Sequence, residues 1–299
     1  MTSTNTDWRA EFHRFEGAYS PASIRAYRAD VEAFEAWCLE AGLCPFPAEV
    51  KTICLFLEAQ GEIRAPNTVQ RRVYAIRKIY KLLRLEDPTE DEEIHLALRR
   101  VRRTKAARPK QARAMNKNFV ERFVGAQPES LTGLRNRAML ALGYELLTRR
   151  SELVSLRDGD LTERADGTFR VLIRKSKSDP FGEGRTAFTS RATADLLKDW
   201  LAERGQGTSW LFCPIYHGVP FDRAISSASV SRLVKAAARS AGMDPHAAKA
   251  FSGHSMRVGA AQDLLTKGLD TAAIMRAGGW KSVSILARYL QDAEHNVWA

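Results

Sequence analysis

The 299-residue sequence predicts a mainly α-helical protein with a small β-sheet, split into an all-helical N-terminal domain and a mixed α+β second domain. Three observations lead there. Apolar residues recur at helical three-to-four spacing through most of the first hundred positions. A basic, proline-bearing stretch without apolar periodicity, 105–114, then interrupts the pattern and reads as a linker. Beyond it helical periodicity resumes, apart from one short stretch that alternates with the period of a strand. A chain of this length can bury two separate cores.

Residues 1–14 read as a tail and 15–104 as the helical domain. Ile24, Tyr27, Val31, Phe34 and Trp37 with Cys38 set a helix over 20–42. Pro45 and Pro47 break the pattern, and a second helix starts over 50–57. Asn67 with Gln70 reads as a capping box for a third helix, whose stripe is Val69, Val73, Ile76, Tyr80 and Leu83. Thr89 with Glu92 reads the same way for a fourth, reaching Arg103. After the linker, the second domain covers 115–299, with helices expected at 117–126 and 131–148. Asp166-Gly167 turns the chain into a strand, where Phe169, Val171 and Ile173 alternate with Arg170, Leu172 and Arg174. Arg185 to Phe188 is its expected hairpin partner, and helices return at 190–203, 228–241, 255–267, 270–277 and 282–290.

The formal net charge of +11 favours a polyanionic partner, because cationic side chains displace counterions condensed on nucleic acid. The charge is concentrated: Arg99 to Arg113 holds eight cations and no acid, just after the acidic stretch Asp87 to Glu93. No apolar run approaches the ~20 residues of a membrane span. The N-terminus lacks the basic and apolar regions of a secretory signal, so a cytoplasmic, nucleoid-associated protein without a membrane partner is expected. Cys38, Cys44, Cys54 and Cys213 are irregularly spaced, which suits reduced thiols and suggests no metal site.

Chemistry gathers near the end of the chain. A helix through His254-Ser255-Met256-Arg257 sets a proton-transfer group and a permanent cation on one face. Trp280 follows Gly278-Gly279, and Tyr289 offers an oxygen nucleophile 32 residues after Arg257. Upstream, Arg149 follows the apolar segment 141–147, where it needs either an anion or Glu152 as partner. Lys177 follows the strand. Singly, each residue has a structural reading: an ion pair, a solvated loop, a core anchor. Jointly they suggest phosphoryl transfer without metal.

Arg149-x-x-Glu152, Lys177, His254-x-x-Arg257, Gly279-Trp280 and Tyr289, in this order, resemble the signature of the tyrosine site-specific recombinase (phage integrase) family. The stretches 252–261 and 277–280 resemble its Cre-like branch, with tryptophan where many integrases have histidine. The resemblance implies a helical core-binding domain and a catalytic domain forming a C-shaped clamp on DNA. It implies that Tyr289 attacks a phosphodiester to form a 3′-phosphotyrosyl bond and free a 5′-hydroxyl. Arg149 and Arg257 would hold the non-bridging oxygens, His254 would assist proton movement, and Lys177 would protonate the leaving oxygen. Trp280 would pack the pocket and offer its indole N–H, with Glu152 supporting Arg149. No cofactor, metal or ATP is implied.

Three departures stand out. Leu147-Thr148 replaces the Gly-x that precedes the first arginine in many members. Arg150 adjoins Arg149, and the spacing to Glu152 selects Arg149. Ten residues follow Tyr289, so Val297 and Trp298 read either as an anchor in a neighbouring subunit or as a frayed end.

The resemblance also suggests DNA-contacting residues: Arg25, Arg28, Gln70, Arg71 and Arg72 in the helical domain, Lys105, Arg108 and Lys110 in the linker, and Ser229, Ser231 and Arg232 in the catalytic domain. The expected partner is double-stranded DNA with an inverted-repeat site, bound by a homodimer that becomes a homotetramer at synapsis. No arm-binding domain is seen before residue 15, so accessory proteins are not expected to be required. Two alternatives stay open: a catalytically silent DNA-binding protein of this fold, and a type IB topoisomerase or telomere-resolvase-like enzyme.

Overall fold

The computed structural model describes residues 7–105, 111–174 and 183–293; Lys177, Arg108, Lys110, Val297 and Trp298 lie outside them. The chain divides into two compact units at residue 109.

The first unit is all helical. Helix α1 (Trp8–Glu11) runs into a 3-10 turn, Phe12–Phe15, followed by α2 (Pro21–Glu40), α3 (Val50–Ile63), α4 (Pro66–Leu83) and α5 (Glu92–Thr104). From Trp8 onward the stretch expected as a tail over 1–14 is helical. Trp8 and Phe12 are buried, and edge-to-face contacts link Trp8, Phe12, Phe15, Tyr19 and Tyr27 in series. Their rings seal the core formed by Val31, Phe34, Ile53, Phe56, Leu57, Val69 and Ile76.

Both expected capping boxes give way to other caps. Helix α4 starts at Pro66 with Ala65 as its cap and no side-chain cap bond. Proline suits the first helical position because it has no N–H to satisfy. At α5 the cap is Asp91, which accepts from the Glu93 amide at 2.9 Å. Thr89 is instead buried in the 3-10 turn Pro88–Glu90 and donates to Asp87 at 2.6 Å.

The second unit opens with α6 (Lys117–Gly125), α7 (Leu131–Glu145) and α8 (Arg150–Ser155). A three-stranded antiparallel sheet follows, β1 (Leu161–Glu163), β2 (Phe169–Ile173) and β3 (Arg185–Phe188), in that spatial order. The expected hairpin is present, with Val171 opposite Ala187 and Ile173 opposite Arg185. Phe169, Val171 and Ile173 face the core while Arg170 and Leu172 face out. Then come α9 (Arg191–Arg204), the short hairpin β4 (Ile215–Tyr216) with β5 (Val219–Pro220), α10 (Ser227–Ser240) and α11 (Pro245–Lys249). The chain continues through α12 (Ser255–Thr266), α13 (Thr271–Gly278) and α14 (Val283–Leu290).

Helix α12 is buried along most of its length and passes so close to Met115 that a Cβ on Gly259 would lie 2.0 Å from that residue's carbonyl oxygen. A separate small core of Leu147, Ala260, Ala261, Ile274, Trp280 and Leu286 joins the end of α7 to α12, α13 and α14. Among the described residues no helix is long and apolar enough to cross a membrane.

Candidate active site

The candidate residues meet where α7 ends and α8 and α12 begin. Helix α7 stops at Glu145, short of the expected 148, and Leu147 takes a left-handed backbone with φ 48°. That turn presents Arg149 as the cap residue of α8. The Glu152 carboxylate, 1% exposed, accepts from the Arg149 amide at 3.0 Å and from Arg149 Nη1 at 2.6 Å. One carboxylate thus fixes both the backbone and the side chain of the arginine. Arg150 turns away and donates to Ser231 Oγ on α10 at 3.0 Å.

His254 caps α12 and Arg257 lies three residues on, as the spacing implied. Arg257 is fully buried and its Nη1 donates to the Leu147 carbonyl. Its Cζ lies 4.0 Å from the centre of the Trp280 ring and 5.6 Å from that of Tyr289. These aromatic faces partly offset the cost of burying a cation. Nε and Nη2 of Arg257 and Nε1 of Trp280 are buried donors without an acceptor among the described residues. Such groups are rare in folded proteins, because a buried donor without a partner is costly.

Trp280 is set by the end of α13, where Gly279 adopts φ 65° as a left-handed cap. Tyr289 is on α14; its ring packs 4.9 Å from Trp280 and 5.0 Å from His254, centre to centre. Gln262 donates to its carbonyl at 3.0 Å and ties α14 to α12.

Charge and burial together set the protonation states. Burial, and then the fields of Arg257, Arg149 and Arg150, push the His254 imidazole down to about 4. It is therefore neutral at pH 7. Burial, and next Arg149, lower the Arg257 guanidinium to about 10, which leaves it cationic at pH 7.

Arg149, Glu152, His254, Arg257, Trp280 and Tyr289 thus form one cluster, while Lys177 lies outside the described residues. Sequence reasoning missed Arg185, a strand cation that reaches this cluster and lies 3.7 Å from Glu152. Its one signal was position: a charge at the mouth of a half-buried hairpin.

The residues proposed to touch DNA divide by environment. Arg25 and Arg28 are exposed on α2, with Arg28 over the Phe12 ring. Gln70 accepts from Arg102, and Arg71 makes a two-pronged pair with buried Asp30 at 2.6 and 2.9 Å. Arg72 does not fit the expectation. It is buried, donates to Gln60 and lies over Phe56, so it braces α4 against α3 instead of facing a groove. Lys105 donates to the Glu62 carbonyl at 2.6 Å. Ser231 is engaged by Arg150 and the Gly253 amide, while Arg232 is exposed and donates to Ser229 at 2.9 Å.

Residues 113–296 match the phage integrase family. The chain belongs to that family, the tyrosine recombinases. This tyrosine recombinase is 30% identical over 291 residues to an integrase/recombinase xerD homolog of Selenomonas ruminantium, covering 93% of this chain and 84% of that protein. It is 26% identical over 311 residues to the recombinase cre of Escherichia phage P1, covering 97% and 89%. Two solved structures share the fold. XerH recombinase bound to a palindromic difH substrate aligns at TM-score 0.66 and 17% identity, over 91% of this chain and 77% of that one. The Tn1549 transposon integrase in complex with transposon right end DNA also aligns at 0.66, with 15% identity and 94% and 93% coverage.

Proposed function

We propose that this tyrosine recombinase cuts and rejoins double-stranded DNA at an inverted-repeat core site through a 3′-phosphotyrosine at Tyr289. One observation carries the reading. Among the described residues Arg257 Nε and Nη2 and Trp280 Nε1 are buried donors without acceptors, in the same cluster as the Tyr289 ring. A phosphodiester oxygen supplies the acceptor they need. The α12 N-terminus, where His254 and Arg257 lie, adds a dipole that favours an anion.

In the step, the Tyr289 oxygen bonds to phosphorus as the bond from phosphorus to the 5′-oxygen breaks. Ionising a phenol of pKa ~10 at pH 7 costs about 4 kcal/mol. With a phosphodiester anion beside it to raise its proton affinity, His254 assists the movement of that proton, and the cations around it stabilise the phenolate. Arg149 and Arg257 hold the non-bridging oxygens, where charge accumulates in the transition state. Lys177 gives a proton to the departing 5′-oxygen. The phosphotyrosine conserves the energy of the broken bond, so rejoining runs without ATP. Glu152 holds Arg149 in place.

Two protomers on one site and four at synapsis fit such a reaction, and Trp280 with the 252–261 segment supports a Cre-like branch. The cationic surface residues Arg25, Arg28 and Arg232, together with the linker cations, suit contact with the duplex. The test is a nicked duplex carrying the inverted repeat nearest the coding region. The wild-type chain should form a covalent adduct, and Tyr289→Phe should bind without forming one. Equal adduct from both sinks the assignment, and binding without adduct from the wild type supports a silent DNA-binding protein. Two such sites on one plasmid should recombine with no added protein, whereas relaxation without exchange points to a topoisomerase.

A further inference from the structure

We infer that Arg185 is a positioning residue for strand cleavage: it locks the Trp280 turn and the Arg149 helix to the carbonyl that seats Arg257. The inference rests on the tyrosine-recombinase reading above and adds a residue to it.

Arg185 opens β3, and its side chain, 14% exposed, leaves the sheet and enters the seam between two helix ends. Nη1 donates to the Ala277 carbonyl at 2.7 Å, in the last turn of α13. Nη2 donates to the Leu146 carbonyl at 2.6 Å and to that of Leu147 at 3.4 Å, where α7 has just ended. The last carbonyls of a helix lack partners and carry the negative end of its dipole. A single guanidinium fork thus closes two helix C-termini at once, which a lysine ammonium cannot match in geometry.

Each of these contacts lies one step from the chemistry. The Leu147 carbonyl also accepts from Arg257. Glu152, 3.7 Å from Arg185, holds Arg149. Ala277 leads into Gly279 and Trp280, and the stem of Arg185 runs directly beneath that turn. A Cβ on Gly279 would lie 2.9 Å from Arg185 Cδ and 3.2 Å from Nε. Glycine is therefore required at 279 twice over, for its φ of 65° and for the passage of Arg185. Burial lowers the guanidinium's pKa, and Glu152 opposes that shift.

Full-length Arg185→Met, Arg185→Lys and Gly279→Ala proteins test this on a nicked duplex selected from a random-sequence pool for binding to the wild type. With saturating DNA in a single turnover, Arg185→Met should form adduct about 100-fold more slowly, the scale of a roughly 1 Å misplacement. Its DNA affinity should stay within about two-fold, because an effect confined to the transition state leaves ground-state binding unchanged. Arg185→Lys should recover part of the rate, and Gly279→Ala should slow cleavage by pressing on the same stem. If Arg185→Met fails to fold, Arg185→Lys, which keeps the charge and the stem, carries the comparison.

A second readout needs no DNA. In 5-fluorotryptophan-labelled protein the Trp280 resonance, assigned by its loss in Trp280→Phe, should shift in all three variants. Wild-type cleavage by Arg185→Lys and Arg185→Met, or a Trp280 resonance that stays put in both, overturns the inference. Absence of a Tyr289-dependent adduct from the wild type instead counts against the functional reading, and the fluorine resonance then decides the role of Arg185 alone.

Discussion

Arg257 donates to the carbonyl of Leu147, and Leu147 presents that carbonyl from a left-handed backbone at φ 48°. This is the position where many family members are expected to have glycine, which adopts such a φ without strain. A left-handed backbone costs a residue with a Cβ about 1–2 kcal/mol. The Leu147 side chain is buried in the small core with Trp280 and Leu286, which offsets that cost. Removing that side chain should cost about 2–5 kcal/mol. Two truncations separate the terms. Leu147→Gly loses the packing but relieves the strain, whereas Leu147→Ala loses the packing and keeps it. The glycine variant should be the more stable of the two by about 1 kcal/mol in denaturant melts, the reverse of their usual order. The alanine variant proving more stable would show that no strain is held at Leu147.

His254 should titrate near pH 4 in the DNA-free protein, well below the ordinary 6.5, as followed by NMR of its ring protons. The folded value lies below the unfolded one, so unfolding takes up a proton between them. Stability is then complete above about pH 6.5 and falls as the pH drops toward 4, by up to ~1.4 kcal/mol per unit. His254→Gln should flatten that slope. A phosphodiester beside the ring should raise the value, because an anion favours imidazolium. A ring that titrates at 6.5 in the free protein would show that burial and the neighbouring arginines do not depress it.

Glu152 is buried between Arg149 and Arg185, so its removal leaves two cations without their shared carboxylate. Glu152→Gln keeps the shape and one acceptor oxygen but removes the charge. It should destabilise the protein by about 3 kcal/mol, the low end of breaking a buried pair. Adduct formation should fall well beyond what the loss of folded protein explains, because Arg149 loses its anchor. Calorimetry and single-turnover cleavage on the same preparations separate the two effects. A stability loss with an unchanged cleavage rate would reduce Glu152 to scaffolding.

The helices that carried a clear apolar stripe were legible in the sequence, because burying one face imposes the 3.6-residue period. Helix α8, six residues long, and the two-residue strands β4 and β5 are too short to show any period. The caps misled for local reasons: α4 begins at Pro66, so its cap position falls on Ala65, which has no side-chain acceptor, and Asp91 is nearer to the start of α5 than Thr89. Arg71 and Arg72 read alike, yet neighbours on a helix point about 100° apart, and only Arg71 reaches the surface. In the site, residues three apart on one helix were legible together. Arg185 was not, since nothing local says that Leu146 and Ala277 will meet at a strand 39 and 92 positions away.

The same blindness applied to the N-terminus, where a four-residue helix and a 3-10 turn offer no periodicity, although Trp8 is 1% exposed. Its indole N–H donates to Glu35 on α2 at 3.0 Å, Arg9 pairs with the same carboxylate at 2.6 Å, and the ring edges onto Phe12. Trp8→Ala should therefore cost the helical unit about 3–5 kcal/mol, as other large aromatic truncations do. Trp8→Phe keeps most of the packing and loses one hydrogen bond, so it should cost nearer 1 kcal/mol. Hydrogen exchange gives the local reading: amides of α2 and α4 should lose protection in Trp8→Ala, while those of α7 and α12 in the other unit keep theirs. Unchanged protection in α2 and α4 would return residues 8–14 to the status of a tail. Loss throughout both units would mean that the segment stabilises more than the core it touches.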